Sequence, residues 1–141
     1  MIDIFVKDET SRLKSVVLGS AESFGGTPKL EETYDPKSKQ HIKEGTFPKE
    51  DDLNKEMTAV AEILAKYDVK VYRPEVLSDL NQIFARDIGF VIDDNFIVPN
   101  IIEDRAHEQE GVNYIIDQIN PAQVVRMPEG AFAEGGDVMP W

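Results

Sequence analysis

The sequence predicts an α/β fold assembled from repeated strand-strand-helix-strand units, with the last unit incomplete in this chain. Three observations predict it. Short β-branched runs alternate with two stretches of helical period, each helix leads through a short turn into a similar strand, and each strand is followed by a cluster of carboxylates. The corresponding strands are Val71-Tyr72-Arg73-Pro74-Glu75 and Val125-Arg126-Met127-Pro128-Glu129, and the acid clusters end at Asp87 and Asp137. An offset of about fifty residues lies in the range of propellers and stacked arrays. Coincidence between two ordinary helix-strand connections is the competing explanation.

The elements follow in chain order. After a short apolar start, Leu13-Lys14-Ser15-Val16-Val17-Leu18 reads as a strand that ends at Gly19. From residue 20 to 48 no period persists and Gly25, Gly26, Pro28, Pro36 and Gly45 interrupt the chain, which predicts a long loop, either a lid or a disordered segment. From Glu50 the apolar residues Leu53, Met57, Val60, Ala61 and Leu64 recur with helical spacing, and Asp51 and Asp52 suit the positive end of the helix dipole. This helix is expected to end near Tyr67-Asp68, before a strand at Val69-Lys70-Val71-Tyr72 that Pro74 stops. Gly89-Phe90-Val91-Ile92, Asp93-Asp94-Asn95 and Phe96-Ile97-Val98 form a hairpin pattern. A second helix is predicted from about Glu103 to Asn120 with the stripe Val112, Ile115, Ile116 and Ile119; Pro121 closes it, and Gln123–Arg126 is another strand. The complete unit therefore runs from Gly89 to Arg126. A third apolar segment begins after Asp137, four residues before the last residue, Trp141, so the third unit is expected to break off there.

Length and composition narrow the function. A chain of 141 residues with 41% hydrophobic residues can bury a core of its own. No run is long enough to span a membrane, and the first residues do not form a signal peptide, which points to a cytoplasmic protein without membrane attachment. With 27 acidic against 15 basic residues the net charge is -12, which opposes nucleic-acid binding. There is no cysteine, which excludes disulfides, thiolate metal sites and a cysteine nucleophile within this chain.

Candidate chemistry centres on Asn81-Gln82-Ile83-Phe84-Ala85-Arg86-Asp87, running into the strand at Gly89, and on Glu134-Gly135-Gly136-Asp137. A radial repeat would bring Asp87 and Glu134 toward one axis, where two carboxylates could grip a planar guanidinium while Phe84 walls one face. Gly135 and Gly136 would permit close approach of a ligand to the backbone. Taken singly, Asp87 also reads as a salt-bridge partner or turn cap, and Glu134 as an exposed loop acid. Arg105 with Glu108 three residues on reads first as a surface ion pair, and alternatively as a clamp for a substrate carboxylate. Arg86 either steadies Asp87 or faces solvent. His41 and His107 have no nucleophile to serve, and Asp93, Asp94, Glu103 and Asp104 lack a diagnostic metal-ligand spacing, so no metal is expected.

These residues resemble the arginine deiminase and amidinotransferase superfamily. The resemblance rests on Asn81-x-x-Phe84-x-Arg86-Asp87, Arg105-x-x-Glu108 and Glu134-Gly135-Gly136-Asp137, in that order, with Leu13–Gly19 similar to the opening strand. It implies a pentein fold, a five-bladed α/β propeller of which residues 1–141 would be the amino-terminal portion. It also implies a small guanidino substrate such as arginine and no metal or organic cofactor. By resemblance Asp87 binds the guanidinium nitrogens, Phe84 packs on that group, and Asn81 and Arg105 read the substrate's carboxylate end. Glu134 is the acidic catalytic partner and Asp137 supports the turn. The family's reaction proceeds through a cysteine thiolate attacking the guanidinium carbon, with a histidine moving protons. Here that cysteine is missing and no histidine follows His107, so the chain alone is expected to be inactive. Hydrolase and transferase chemistry both fit. The alternatives are a non-catalytic acidic binding or interaction domain of the same fold and, last, a metal-dependent hydrolase. An unfinished unit would expose a sheet edge and favour self-association.

Overall fold

A computed structural model describes all of residues 1–141. β-Branched and aromatic residues fill five short strands: β1 (Ser15–Val17), β2 (Lys70–Tyr72), β3 (Phe90–Ile92), β4 (Asn95–Val98) and β5 (Val124–Arg126). β1 and β2 pair in parallel, Ser15 opposite Lys70 and Val17 opposite Tyr72. The second sheet has the order β3-β4-β5: β3 and β4 form an antiparallel hairpin with Phe90 opposite Ile97, and β4 and β5 run parallel with Phe96 opposite Val124. The hairpin turn requires a positive φ at Asp93, 50°, which a short polar side chain tolerates.

The helices differ from expectation in informative ways. Within the stretch expected to be a loop, α1 (Pro36–Glu44) forms on terminal signals alone. Asp35 caps it by accepting from the Ser38 N–H at 2.6 Å, Pro36 occupies the first turn, and Gly45 ends it in the left-handed region at φ 68°. The Ser38 N–H holds the Asp35 carboxyl below its ordinary pKa. No residue of α1 is buried, so the helix leaves no apolar period for a sequence reading to find. α2 (Glu50–Lys66) covers the expected range, but none of its residues is fully buried and Val60 is exposed.

The stretch predicted as one long helix is a ten-residue 3-10 helix, Glu103–Val112, followed by a single α turn, α3 (Asn113–Ile116). The apolar stripe begins only at Val112. Upstream of it the backbone is fixed by polar anchors: Gln109 Nε2 donates to the Pro99 carbonyl at 2.8 Å, and the Glu75 N–H donates to the Gly111 carbonyl at 2.7 Å. After Glu134 the chain turns through a 3-10 segment, Gly135–Asp137, and no strand follows Asp137.

β3, β4, the helical segment and β5 thus form one strand-strand-helix-strand unit. Its core comprises Ile88, Phe96, Val98, Ile101, Val112, Ile115, Ile116 and Ile119, against which Val17 of β1 and Tyr72 of β2 also pack. The parallel pair β1-β2 and the mixed sheet β3-β4-β5 share this core, so the loops at their ends are held in fixed relation. No helix is long and apolar enough to cross a membrane.

Candidate active site

Asp87 occupies a turn pinned on both sides by apolar residues. Ala85 and Ile88 are buried, 8% and 2% exposed, and the Asp87 N–H closes the turn on the Phe84 carbonyl at 3.0 Å. The carboxylate between them is therefore held just ahead of β3. Its Oδ1 accepts the Gly136 N–H at 3.1 Å and its Oδ2 accepts from Arg105 Nη1 at 2.9 Å.

Glu134 reaches the same point from the other acid cluster. Asn100 steadies its approach: its side-chain amide donates to the Pro128 and Ala131 carbonyls, both at 2.9 Å, and its backbone carbonyl accepts the Ala133 N–H. The next residue, Gly135, lies against the Asp87 turn, where an added Cβ would fall 2.0 Å from the Arg86 carbonyl oxygen. At Gly136 it would fall 2.5 Å from Asp87 Oδ1. Close approach is thus needed at both glycines, and the groups that approach are Arg86 and Asp87.

The Arg105 guanidinium joins the two acids. Nη1 contacts Asp87 Oδ2 and, at 3.4 Å, Glu134 Oε2. Nε and Nη2 donate to the two oxygens of Glu108 at 2.7 and 2.8 Å, a bidentate pair. This is no surface ion pair, because the two side chains are only 11% and 6% exposed. The Glu108 carboxylate raises the Arg105 pKa further, burial opposes this, and Asp87 adds to it. The Phe84 ring lies 5.8 Å from the centre of the same guanidinium, in cation–π range, with much of its own surface open to solvent. Tyr34, in the connection ahead of α1, lies within electrostatic reach. Desolvation raises its phenol pKa and the Arg105 charge acts against that rise.

Arg86 faces away from this cluster. It binds Glu9 through Nη2 at 2.7 Å and donates to the Gly135 and Val138 carbonyls, tying the amino-terminal segment to the Glu134 turn. It makes no side-chain hydrogen bond to Asp87, whose nearby negative charge adds to the upward shift of the Arg86 pKa that Glu9 chiefly causes. Asn81 is exposed and accepts only the local Ile83 N–H at 3.1 Å, while the Asp137 N–H donates to the Glu134 carbonyl. Among the residues singled out from sequence, Asp87, Phe84, Arg105, Glu108 and Glu134 converge; the side chains of Asn81 and Asp137 make no hydrogen bond or ion pair with the cluster. No group of three or more His, Asp or Glu side chains is placed to hold a metal ion.

Two supporting residues carried no sequence signal. Gln82, 1% exposed, donates from Nε2 to the Glu75 carbonyl and accepts the Leu77 N–H at Oε1. It fixes the connection that delivers the Asn81–Asp87 stretch. Asn100 does the same for Glu134. Both are ordinary polar residues: Asn100 acts on backbone far along the chain, and Gln82 closes an irregular loop on itself, so only the folded chain identifies them.

No protein-family model and no curated protein sequence matches the chain. Solved structures do. A dimethylarginine dimethylaminohydrolase from Pseudomonas aeruginosa, complexed with citrulline, superposes with a TM-score of 0.63 at 18% identity, over 90% of this chain and 46% of that one. An amidinotransferase of the saxitoxin biosynthetic pathway from Microseira wollei gives 0.62 at 19% identity, over 89% and 42%. The inosamine-phosphate amidinotransferase from Streptomyces griseus gives 0.62 at 13% identity, over 91% and 43%. The chain spans less than half the length of the solved chains it matches. The chain therefore shares its fold with these solved structures over about nine-tenths of its length.

Proposed function

We propose that the chain forms the guanidinium-recognising part of a guanidino-group-modifying enzyme, an arginine deiminase-like hydrolase or an amidinotransferase, acting on arginine or an arginine-like substrate. The observation that carries this reading is the charge imbalance of the cluster. Asp87, Glu108 and Glu134 surround a single cation, Arg105, which leaves an excess of two negative charges. Glu108 is engaged by both oxygens, whereas Asp87 and Glu134 retain acceptor capacity, since a carboxylate offers about four lone-pair sites. They are also the more accessible acids, with side chains 19% and 34% exposed. A second guanidinium, that of the substrate, fits beside Phe84 with Asp87 and Glu134 as its acceptors.

In this reading the strand-strand-helix-strand unit is a blade of an α/β propeller. Asn81 reads the far end of the substrate, Glu134 is the acidic member of the catalytic group, and Asp137 shapes the turn. Arg105, expected from sequence to read the substrate carboxylate, is instead occupied by Glu108, Asp87 and Glu134 at the guanidinium end. The chemistry runs through a covalent thiol intermediate, and the thiol comes from outside these 141 residues, which contain no cysteine. The missing cysteine favours one second reading, a non-catalytic domain that binds a cation or a partner through the same acids.

Equilibrium dialysis of arginine tests the proposal. Saturable binding to the purified chain, lost in Asp87→Ala, supports a guanidino site. Undiminished binding by Asp87→Ala, or none by the unaltered chain, refutes it. The purified chain is expected to release no citrulline, ornithine or ammonia from arginine.

A further inference from the structure

Glu108 is the most deeply buried ionisable side chain of the cluster and has no part in the proposed guanidinium contact. It is 5% exposed as a residue, and both of its oxygens are engaged by Arg105 alone. Its placement follows from the backbone. In a 3-10 helix side chains three residues apart eclipse one another, so Arg105 and Glu108 stand in line on Glu103–Val112. The helix is itself fastened beside them. Gln109 donates to the Pro99 carbonyl, and Gly111 leaves no space for a Cβ, which would fall 2.3 Å from Gln82 Nε2 and 2.9 Å from the Glu75 carbonyl oxygen.

A guanidinium has five N–H donors in one rigid plane. Two of them, from Nε and Nη2, are taken by Glu108, which fixes that plane. The remaining edge, led by Nη1, then has one direction available, toward Asp87 and Glu134. We infer that Glu108 is a positioning residue of this site: by gripping Arg105 from beneath, it aims Nη1 between Asp87 and Glu134 and so sets the spacing of the two acids that meet the substrate guanidinium. This rests on the proposed guanidino site for its functional meaning, while the grip itself can be observed without any ligand.

Two readouts on the full chain test it. The first is the Arg105 side-chain Nε–H resonance in an 15N spectrum, recorded for the unaltered chain, Glu108→Gln, Glu108→Asp and Glu134→Gln. The second is arginine binding by the same proteins. The resonance is expected to move or vanish in Glu108→Gln and to persist in Glu134→Gln, because Glu134 touches only Nη1. Arginine binding is expected to weaken about tenfold or more in Glu108→Gln, a loss equivalent to one decade in Kd, with Glu108→Asp recovering part of it. An unchanged resonance in Glu108→Gln overturns the inference. So does arginine binding that stays near that of the unaltered chain once the resonance is lost. If the unaltered chain binds no arginine, the guanidino reading fails and the resonance alone decides whether Glu108 holds Arg105. Should Glu108→Gln not fold, Glu108→Asp decides: a resonance identical in position and exchange to that of the unaltered chain, with arginine binding lost, counts against the grip.

Discussion

Replacing Arg105 by methionine removes the cation from a cluster in which three carboxylates remain. At an effective dielectric of about 20, unit charges roughly 4 Å apart interact by about 4 kcal/mol, and desolvation of both partners offsets part of that. The decisive term is what remains behind. Glu108, with its side chain 6% exposed, has no partner other than Arg105, so the variant leaves a buried, unpaired carboxylate. Breaking a buried pair in this way costs about 3–5 kcal/mol. For a domain whose total stability is of the order of 5–15 kcal/mol this is a large fraction. Asp87 and Glu134 add less, because solvent reaches both. The double variant Arg105→Met, Glu108→Met removes the buried charge together with its partner and is expected to recover about 1–2 kcal/mol relative to Arg105→Met alone. Urea unfolding of the unaltered chain, each single variant and the double variant measures the coupling. A loss under about 1 kcal/mol for Arg105→Met, as for an exposed pair, would contradict a buried Glu108 that depends on Arg105. Additivity of the two single changes would do so too.

Other expectations concern the surrounding turn and the site's rim. Gly135→Ala drives a methyl into the Arg86 backbone carbonyl, whereas Gly136→Ala meets only the movable Asp87 carboxylate. Thermal unfolding is therefore expected to show Gly135→Ala as the more destabilising, at about 1–3 kcal/mol, and arginine titration to show Gly136→Ala impaired mainly in binding. Phe84→Ala removes the aromatic wall and is expected to weaken arginine binding by about 0.5–1 kcal/mol, read from the same titration. At the amino terminus, hydrogen bonds from Ser11 and Thr10 lower the Asp8 pKa to about 2 from an ordinary 3.8. Because the folded value is the lower one, its stabilising contribution is complete above the ordinary value and is lost as pH falls through about 2. The melting-temperature difference between the unaltered chain and Asp8→Asn should shrink across that acid window, and a constant difference would contradict this.

Strands and hairpin were legible because they are written in local pattern. Phe90-Val91-Ile92 and Phe96-Ile97-Val98 carry β-branched and aromatic residues on either side of an acidic turn, and no distant group is needed to specify them. α1 was missed for the opposite reason. Its signals, Asp35-Pro36 and Gly45, are terminal, and a helix with no buried residue shows no apolar stripe. Over Glu103–Val112 the apolar period is absent, and the conformation follows from Gln109, Gly111 and the Arg105–Glu108 pair meeting groups far along the chain.

The candidate site divides along the same line. Asp87, Phe84, Arg105 and Glu134 could be named from residue type and spacing. That Arg105 lies between the acids could not, because it depends on the helix placing its side chain across to Asp87, eighteen residues earlier. Gly135 and Gly136 read from sequence as room for a ligand, and in the structure they make room for the Asp87 turn.

The Gly136 amide is the natural probe of guanidinium binding at Asp87, since its N–H is donated directly to Asp87 Oδ1. Adding arginine to the 15N-labelled chain and following amide and arginine side-chain resonances is the most direct measurement. Saturable shifts are expected at Gly136, Glu134 and the Arg105 Nε–H, with little change in α1 or α2. Shifts confined to other surfaces, or no shifts at millimolar arginine, would contradict guanidinium binding at Asp87.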